Sequence, residues 1–233
     1  MYKYETHLHT FPVSKCAKRS VRENLEFYKR MGYDGVFITN HFVDANINID
    51  KARPYEEKIN FYFSDYEAAI PIAKEIGIKV FLGVETGSGG HFLVYGLDKE
   101  WYLRHPEIME MKYKEQLEFF RAAGALVIHA HPFREAAFVD YIRLFPRSVD
   151  GVEVLNSSRT DFENRLADQY ADNYELLKIA GSDNHGASRQ KALAGVCTET
   201  PIVNEDDFIR RVRARETKIF TLINEEANLV SQT

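Results

Sequence analysis

The sequence predicts an α/β protein in which strands and helices alternate around a closed or distorted barrel. Eight short apolar or β-branched runs are bounded by Gly, Asp or Asn, which is typical of strands. Amphipathic segments with helix caps lie between most of these runs, as in βα units. Seven or eight strands in a chain of 233 residues favour a barrel over an open sheet. No linker or repeat interrupts the pattern, so we expect one domain over residues 1–233.

The predicted strands are mostly continuous apolar runs, which indicates burial on both faces and favours a parallel sheet. In a parallel barrel, active sites gather at the carboxyl ends of the strands. In chain order the predicted strands read "KYETHL", "DGVFIT", "IKVFLGVE", "HFLVYGL", "ALVIHA", "GVEVLN", "LKIAGS" and "TKIFTL".

Helix caps predict where the intervening helices begin. "SVRENLEFYKRMG" opens with Ser20 and Glu23 spaced as a capping box and closes on a glycine. "SDYEAAIPIAKEIG" shows the same spacing from Ser64 to Glu67. Three further amphipathic segments predict helices over residues 106–123, 161–174 and 205–215.

The composition of the chain limits which binding partners and which cell compartment we expect. The net charge of -5 argues against a general nucleic-acid binder, because phosphate-backbone affinity depends on clustered Lys and Arg. The longest apolar stretches, such as "GALVIHAH", are far shorter than the roughly 20 residues that cross a bilayer. Cys16 and Cys197 make no disulfide framework and no export signal is evident, so we expect a cytoplasmic protein without a membrane partner.

Histidines concentrate at the predicted strand ends. His7 and His9 end the first strand and, being two residues apart in a strand, point the same way. Two carboxylates, Glu85 and Asp183, share the pattern, and only His105 departs from it. The other histidines at strand ends or beginnings are His41, His91, His129, His131 and His185.

This set of side chains is typical of an open, catalytic metal site. Imidazoles with one or two carboxylates and no cysteine pair suit Zn, Mn or Fe, and differ from the thiolate-rich shell of a structural zinc. Two such ions about 3.5–4 Å apart can hold a hydroxide and clamp a phosphate. Hydrolysis is therefore the chemistry that the strand ends predict.

Taken in order, these motifs resemble the polymerase and histidinol phosphatase (PHP) family over nearly the whole chain. The motifs are "HLHT", "ITNH", "GVE", "GGHFLVYG", "HAHPFR" and "GSDNH". The resemblance implies a distorted seven-stranded (β/α) barrel that is similar to a TIM barrel. It also implies two to three divalent metal ions, Zn, Mn or Fe, in a single catalytic domain.

The resemblance assigns ligands residue by residue. It implies that one ion is held by His7, His9, Glu85 and Asp183, and that Glu85 bridges to a second ion. The second ion would be held by Glu85, His91 and His131.

A third ion would rest on His41, His185 and the residue six positions after the second histidine of "HLHT". That residue is Lys15, whereas the family usually has His or Asp there, and an ammonium cannot ligate a cation. Three alternatives stay open. The third site has two protein ligands only, or the neighbouring Cys16 enters as a thiolate after a one-residue shift, or the site is empty.

The predicted function is a metal-dependent phosphoesterase, a phosphatase that cleaves a small phosphate monoester through a metal-bridged hydroxide. Histidinol phosphate is one substrate that the resemblance suggests. Arg134 in "HPFR" is placed to bind the phosphate as a bidentate donor, and Lys15 and Arg159 are further substrate-binding candidates. His185 or His41 would protonate the leaving oxygen if the third site lacks metal.

Two other functions compete with this one. A phosphodiesterase or exonuclease acting on short nucleic acid or a dinucleotide would use a basic groove, for which "KCAKRSVR" is the candidate. A non-catalytic PHP scaffold would have lost ligands, which this chain has largely kept. Arg189 in "GASR" is a weaker phosphate-binding candidate, and we interpret His129 as a packing residue or a support for the ligands. Oligomeric state and metal identity stay open.

Overall fold

A computed structural model describes residues 1–87, 90–137, 139–186 and 190–224 of the chain. The strands in this part are β1 (Tyr2–Leu8), β2 (Gly35–Ile38), β3 (Lys79–Thr86), β4 (His91–Tyr95), β5 (Leu126–Ala130), β6 (Gly151–Asn156), β7 (Leu177–Gly181), β8 (Ala192–Thr198) and β9 (Lys218–Ile223). The helices are α1 (Val21–Arg30), α2 (Tyr55–Ile76), α3 (Lys99–Arg104), α4 (Tyr113–Ala122), α5 (Asp161–Asn173) and α6 (Glu205–Arg213), with a 3₁₀ helix at Pro106–Met109.

The strands form one nearly closed sheet in the order β7-β6-β5-β4-β3-β2-β1-β8-β9. Hydrogen bonds between His9 and Asn184 and between Asn184 and His7 join the end of β1 to the segment after β7. The predicted α/β barrel architecture is confirmed in this general form. The described residues contain nine strands, however, and not the seven that the family resemblance implies.

The expectation of a parallel sheet is wrong for part of the barrel. β1, β2 and β3 are parallel to one another, as are β5, β6 and β7, but β4 runs antiparallel to both of its neighbours. A parallel crossover needs a dozen or more residues, whereas only residues 87–90 link β3 to β4. β8 runs antiparallel to β1 and β9, and it was not among the predicted strands.

An aromatic cluster fills the end of the barrel interior opposite the histidines, and we call it the floor. Tyr4, Phe37, Phe81 and Tyr95 come from β1 to β4, and Phe208 of α6 packs against them. The ring centroids of Phe37 and Phe81 lie 4.8 Å apart, and those of Phe37 and Phe208 lie 4.4 Å apart. Burial of such large rings contributes strongly to the stability of the interior.

A β-bulge in β1 decides which side chains face the interior above the floor. The register of β1 against β2 shifts between Glu5 and Leu8. Tyr4 lies in the floor, yet Leu8 packs outside the barrel in the cluster that contains Leu25 of α1. Side chains alternate along a strand, so the shift moves His7, an odd-numbered residue, to the inner face.

The helix predictions hold in some places and fail in others. The capping box of α1 forms, with the Ser20 backbone N–H donating to Glu23 at 2.7 Å. The second helix begins at Tyr55, nine residues before the predicted cap. Ser64 does not cap a helix start, because its Oγ donates to the Phe61 carbonyl inside the helix. The prediction over residues 106–123 divides into the 3₁₀ helix and α4. No helix in the described residues is both long and apolar enough to cross a membrane.

Candidate metal centre

The eight residues that were predicted as metal ligands come together at one end of the barrel interior, which we call the rim. Each lies at the end of a strand, shortly after a strand, or, in the case of His91, at the start of β4. Ligand atoms lie within 4.8 Å of one another in four groups: His7, His9 and Glu85; His7, His131 and Asp183; Glu85, His91 and His131; His9, His41 and His185. The strand ends converge as the barrel prediction requires.

The inner cluster, which consists of His7, His9, Glu85 and Asp183, places two histidine Nε2 atoms beside two carboxylates. The two histidine Nε2 atoms lie 3.2 Å apart. His7 Nε2 is 3.3 Å from Glu85 Oε1 and 3.5 Å from Asp183 Oδ1. His9 Nε2 is 3.4 Å from Glu85 Oε2 and 3.3 Å from Asp183 Oδ1. All four side chains are buried.

The proton on His9 is located by the groups that surround its Nδ1 atom. The Thr10 backbone N–H donates to Asn40 Oδ1 at 2.7 Å, which identifies that atom as the amide oxygen. Ser14 Oγ donates its one proton to this oxygen and accepts the backbone N–H of His41. Its 3.0 Å contact with His9 Nδ1 therefore requires a proton on that nitrogen. Burial and then the neighbouring imidazoles keep the pKa of His9 well below its ordinary value, so Nε2 carries a lone pair.

His7 is oriented by a carboxylate that was not among the predicted site residues. His7 Nδ1 lies 2.9 Å from Glu153 Oε1, and Glu153 is fully buried in β6. Glu153 Oε2 accepts the backbone N–H of His131 at 3.1 Å and Asn156 Nδ2 at 2.9 Å. Burial lowers the pKa of His7, but the three surrounding carboxylates outweigh burial and raise it well above its ordinary value. Without a metal, a proton on His7 Nε2 faces the inner cluster.

The donor chemistry of the rim fits a divalent cation. Glu85 faces five histidines, and burial, which would raise its pKa, is outweighed by these imidazoles, so its pKa lies well below the ordinary value. Glu85 Oε2 and His41 Nδ1 lie 2.6 Å apart, but neither atom makes a hydrogen bond with the described residues. Buried carboxylates beside imidazole lone pairs are stable only around positive charge, and such donors suit Zn, Mn or Fe.

A second ligand group, the lateral cluster, shares Glu85 with the inner cluster. His91 Nδ1 lies 2.8 Å and His131 Nε2 lies 3.3 Å from Glu85 Oε1. Glu85 uses its two oxygens toward different histidines, as a carboxylate that bridges two ions must. The three residues are those expected to hold a second ion.

Backbone strain turns two of the ligands toward the centre. Ile128 and Ala130 of β5 belong to the interior cluster that includes the floor, so an extended chain would point His131 outward. His131 instead has a φ of 27°, and Asp183 has a φ of 50°. Positive φ is uncommon for residues other than glycine and persists where surrounding structure imposes it, often at functional sites.

His129 lies on the other face of β5. Its ring stacks on Phe92 at 4.8 Å and contacts Tyr170 of α5, among the residues that pack between the sheet and the outer helices. Burial lowers its pKa to about 3, which keeps it neutral. This position agrees with the interpretation of His129 as a packing residue.

The mouth cluster consists of Cys16, His41 and His185, and it lies where the centre opens to solvent. Burial raises the pKa of the Cys16 thiol, but His185 and His41 outweigh burial and lower it to about 6. The His185 side chain is 26% exposed, and its Nδ1 lies 3.0 Å from the Asp183 carbonyl. Lys15 is exposed, and no hydrogen bond or ion pair joins its ammonium to the rim in the described part of the chain.

Arg134 and Arg159 were the predicted substrate-binding arginines, and the structure places Arg134 beside the lateral histidines. Arg134 lines a cavity of about 300 Å³ that also contacts His91 and His131. Arg159 lies two residues before α5. Burial raises the pKa of Glu163, but hydrogen bonds with Glu135 and Thr160, together with the charge of Arg159, lower it below its ordinary value. Arg189 lies outside the described residues.

Three more residues, His105, Glu153 and Ser14, bear on the sequence-based predictions. His105, predicted to lie off the rim, packs on Trp101 at a centroid distance of 4.6 Å and contacts Glu107. Glu153 and Ser14 were missed as supports for the histidines. The signal for Glu153 was a charged residue inside the apolar run "GVEVLN", since an unpaired carboxylate is rarely buried in a strand.

The chain resembles known proteins in part of its sequence and in its fold. A family model described as PHP-associated matches residues 161–217. No curated protein matches the sequence. A two-domain protein from Bacteroides vulgatus, which contains a predicted PHP-like metal-dependent phosphoesterase, superposes with a TM-score of 0.70 at 16% identity. The match covers 94% of this chain, and the chain spans 64% of the length of that protein.

Two other solved structures share the fold. A proposed metal-dependent phosphoesterase from Bifidobacterium adolescentis matches 92% of this chain and 96% of its own, with a TM-score of 0.57 at 16% identity. An amidohydrolase from Chromobacterium violaceum, with bound sulfate and no metal, matches 93% of this chain and 97% of its own, with a TM-score of 0.56 at 15% identity. The family model thus matches one segment of the chain, and the solved structures share its fold over more than nine tenths of its length.

Proposed function

We propose that this protein is a metal-dependent phosphoesterase that hydrolyses a small phosphate monoester. The observation that carries the proposal is the inner cluster, in which His9 Nε2, which carries a lone pair, lies beside His7 and within 3.4 Å of two buried carboxylates. Such a set of donors is suited to a hydrolytic metal ion and has no role in a purely structural rim. Bound ions would activate water and neutralise the phosphoryl oxygens.

Some residues of the chain would hold the ions, and others orient these ligands. His7, His9, Glu85 and Asp183 would hold one ion, and the lateral cluster would hold another through the shared Glu85. Ser14 and Glu153 keep the Nδ1 protons of His9 and His7 in place, which leaves the Nε2 atoms for the metal.

Arg134 is the candidate for binding the phosphate itself. It lies in the same cavity as two lateral histidines, so its guanidinium can donate to phosphoryl oxygens that the ions also contact. His185 is partly exposed, and its Nδ1 faces a carbonyl, so Nε2 is the nitrogen that can pass a proton to the leaving oxygen.

The cavity beside the lateral cluster favours a small substrate. Its volume of about 300 Å³ is at the lower end of the range for small-molecule sites. Asp140, Tyr141 and Arg143 line it together with Arg134, and the Arg143 guanidinium lies 4.6 Å from the Tyr141 ring centroid. Polar, charged and aromatic groups in one wall suit a leaving group with both polar and apolar parts.

Nucleic acid fits the rim less well. In the basic segment "KCAKRSVR", Arg22 is paired with Glu75 at 2.7 Å and lies 3.6 Å from Glu26. Arg19 lies over the Phe27 ring at 4.5 Å. These two cations are engaged within the protein, which weakens the basic groove that a phosphodiesterase or exonuclease would need.

The test pairs metal reconstitution with a substrate panel. Purified protein stripped with a chelator is reloaded with Zn, Mn or Fe and assayed for phosphate release from sugar, nucleotide and amino-alcohol monoesters. A phosphodiester and an N-acyl compound serve as competing substrates. We expect metal-dependent release from at least one monoester, loss of that activity in Asp183→Asn, and normal activity in His105→Ala. Hydrolysis of only the diester or only the amide would replace the proposed reaction.

A further inference from the structure

Asp65 is a buried carboxylate on α2 that belongs neither to the rim nor, within the described residues, to an ion pair. Its Oδ2 atom accepts three hydrogen bonds, from Thr10 Oγ1 at 2.6 Å, the Val13 backbone N–H at 3.3 Å and Asn40 Nδ2 at 3.2 Å. All three donors belong to the segments that follow β1 and β2. Burial of a carboxylate is costly unless such donors surround it, so the position of Asp65 needs a physical reason.

These hydrogen bonds determine how the Asn40 amide is turned. An ionised carboxylate only accepts, so the Thr10 hydroxyl gives its one proton to Asp65. The same hydroxyl accepts from Asn40 Nδ2 at 2.8 Å, and Asp65 Oδ2 accepts from that nitrogen as well. The amide nitrogen is thus held on the side of Asp65, and Asn40 Oδ1 faces the Thr10 backbone N–H and Ser14.

The orientation of Asn40 reaches His9 through Ser14. Asn40 Oδ1 accepts the Ser14 hydroxyl proton at 2.9 Å, and Ser14 Oγ accepts the His41 backbone N–H at 3.0 Å. A lone pair of Ser14 Oγ therefore faces His9 Nδ1 at 3.0 Å, and that nitrogen carries the proton. His9 Nε2, which lies 3.2 Å from His7 Nε2, is left as the nitrogen that can bind a metal.

Helix α2 holds Asp65 in place against the same residue of the rim segment. Tyr62 lies three residues before Asp65 and thus on the same face of the helix. The Tyr62 hydroxyl lies 3.0 Å from the carbonyl oxygens of Asn40 and Gly83. The helix therefore contacts the backbone of Asn40 through one side chain and its amide group through another.

We propose that Asp65 is a positioning residue that keeps the His9 proton on Nδ1 through Thr10, Asn40 and Ser14. These four residues, which we call the relay, are at most 4% exposed, so water has little access to replace their hydrogen bonds. Without the carboxylate, the Thr10 hydroxyl and the Asn40 amide can turn, and Ser14 can donate to His9 Nδ1. The imidazole then exchanges its proton with solvent and carries it on Nε2, where it blocks metal binding. The proposal rests on the metal centre of the proposed function but not on the identity of its substrate.

Both histidines of the inner cluster then have their Nδ1 protons placed by a carboxylate. Glu153 does so directly, at 2.9 Å from His7 Nδ1, whereas Asp65 acts on His9 through three uncharged side chains. Supports of this kind fix the ring orientation and tautomer of a ligating histidine. The relay achieves this for His9 without a second carboxylate on its Nδ1 side.

The experiment locates the proton on His9 and needs no substrate. Nitrogen-15 NMR of metal-free protein with labelled histidine distinguishes Nδ1–H from Nε2–H imidazole, and loss of signals in His9→Gln assigns them. Asp65→Ala removes the acceptor, and Asp65→Leu does so while filling the space, for use where the alanine variant does not fold. Asp34→Ala is the matched control, because Asp34 accepts the Lys3 backbone N–H at 2.8 Å away from the rim. Zinc affinity is measured in parallel by competition with a chelator.

Asp65→Asn tests whether the relay depends on the acceptor. All three donors meet Oδ2, so the amide oxygen of asparagine can accept them while its NH₂ group takes the position of Oδ1. We expect only Nδ1–H at His9 in the unmodified protein, in Asp65→Asn and in Asp34→Ala. In Asp65→Ala or Asp65→Leu an Nε2–H form should appear, and the Kd for Zn²⁺ should rise at least about tenfold.

Unchanged His9 signals in the folded alanine or leucine variant would overturn the proposal, even if zinc affinity fell, because Asp65 would then have only a structural role. An equal change in Asp65→Asn would overturn it as well, since the acceptor is kept there. Failure of the unmodified protein to bind zinc would refute the metal centre of the proposed function. The position of the His9 proton in the metal-free variants would still decide the role of Asp65.

Discussion

The floor and the rim of the barrel lie on the same strands, but their side chains meet opposite requirements. β1 contributes Tyr4 to the floor and His7 to the rim, and β3 contributes Phe81 and Glu85 in the same way. In the floor, polar atoms have partners: the Ile202 backbone N–H donates to the Tyr4 hydroxyl at 2.8 Å. In the rim, Glu85 Oε2 makes no hydrogen bond with the described residues.

This difference indicates where stability and function reside. Stacked aromatic rings at the floor hold the strands together whether or not a ligand is present. The rim instead brings together carboxylates, imidazoles and two positive φ angles, an arrangement that needs a cation to be favourable. A change at the floor should alter folding without altering chemistry, and a change at the rim should do the reverse.

Glu85→Gln should have the largest effect on function. The amide keeps the size of the side chain but removes the charge that the inner and lateral clusters share. We expect bound metal to fall and hydrolysis to drop by at least about a thousandfold, the scale found when one member of a cooperating catalytic set is lost. Metal analysis and initial rates check this, with His105→Ala as the control that keeps both. Full metal content with normal turnover would remove Glu85 from the centre.

Phe37→Ala tests the floor. The ring stacks on Phe81 and contacts Tyr95 and Phe208, so its removal leaves a cavity among groups that cannot collapse to fill it. We expect a loss of about 3–5 kcal/mol in the free energy of unfolding. Metal content and turnover per folded molecule should stay unchanged. Denaturant unfolding with parallel metal analysis measures both quantities, and loss of metal in the folded variant would contradict the separation of floor and rim.

Glu153→Gln tests the support beneath the rim. Glu153 uses one oxygen for His7 Nδ1 and the other for two N–H donors. In the glutamine variant an NH₂ group replaces one of these oxygens, so a donor would face a donor and that hydrogen bond would be lost. Loss of such a support typically lowers metal affinity about 10–100-fold. Competition with a chromogenic chelator measures the affinity. Glu205→Gln is the matched control, because Glu205 accepts the Leu82 backbone N–H away from the rim. Equal affinities in the two variants would show that Glu153 has only a structural role.

Most of the rim residues could be predicted from the sequence, because strand ends converge in a barrel however its core is packed. His7, His41, Glu85 and Asp183 each follow or end an apolar run, and that position alone brings them together. The direction in which a side chain points was harder to predict. In an extended strand His129 and His131, two residues apart, would point to the same side, but the strand ends at Ala130 and a positive φ at His131 separates them.

Other features depended on contacts distant in sequence. β8 was missed because "ALAGVCT" is rich in small residues and does not read as a strand. The small residues are needed where β8 pairs with β1, since a Cβ atom on Gly195 would lie 2.1 Å from the Tyr4 carbonyl oxygen. The start of α2 was misplaced because Ser64 bonds inside the helix and gives no cap. The choice between Lys15 and Cys16 likewise depends on the path of a loop, which motif spacing does not determine.

The smallest predicted effect is a pH dependence that the rim should show and the floor should not. Burial lowers the pKa of His41, but Glu85 and Cys16 outweigh burial and raise it to about 10 in the metal-free protein. A pKa raised above the unfolded value near 6.5 stabilises the fold fully below about pH 6.5, and this stabilisation is lost as pH rises toward 10. Metal binding requires unprotonated histidine, so stabilisation by metal grows over the same interval.

The difference in Tm between metal-loaded and metal-free protein should therefore widen from pH 6.5 to pH 9, by about 2–4 °C for each kcal/mol gained in a domain of this size. Thermal unfolding at several pH values, with and without Zn²⁺, measures the difference. Phe37→Ala should lower both curves and keep the widening, since the floor holds no titrating group that binds metal. Glu85→Gln should abolish the widening, because it removes both the partner of His41 and the shared ligand. A constant Tm difference across this pH range would mean that the histidines of the rim bind metal without releasing protons.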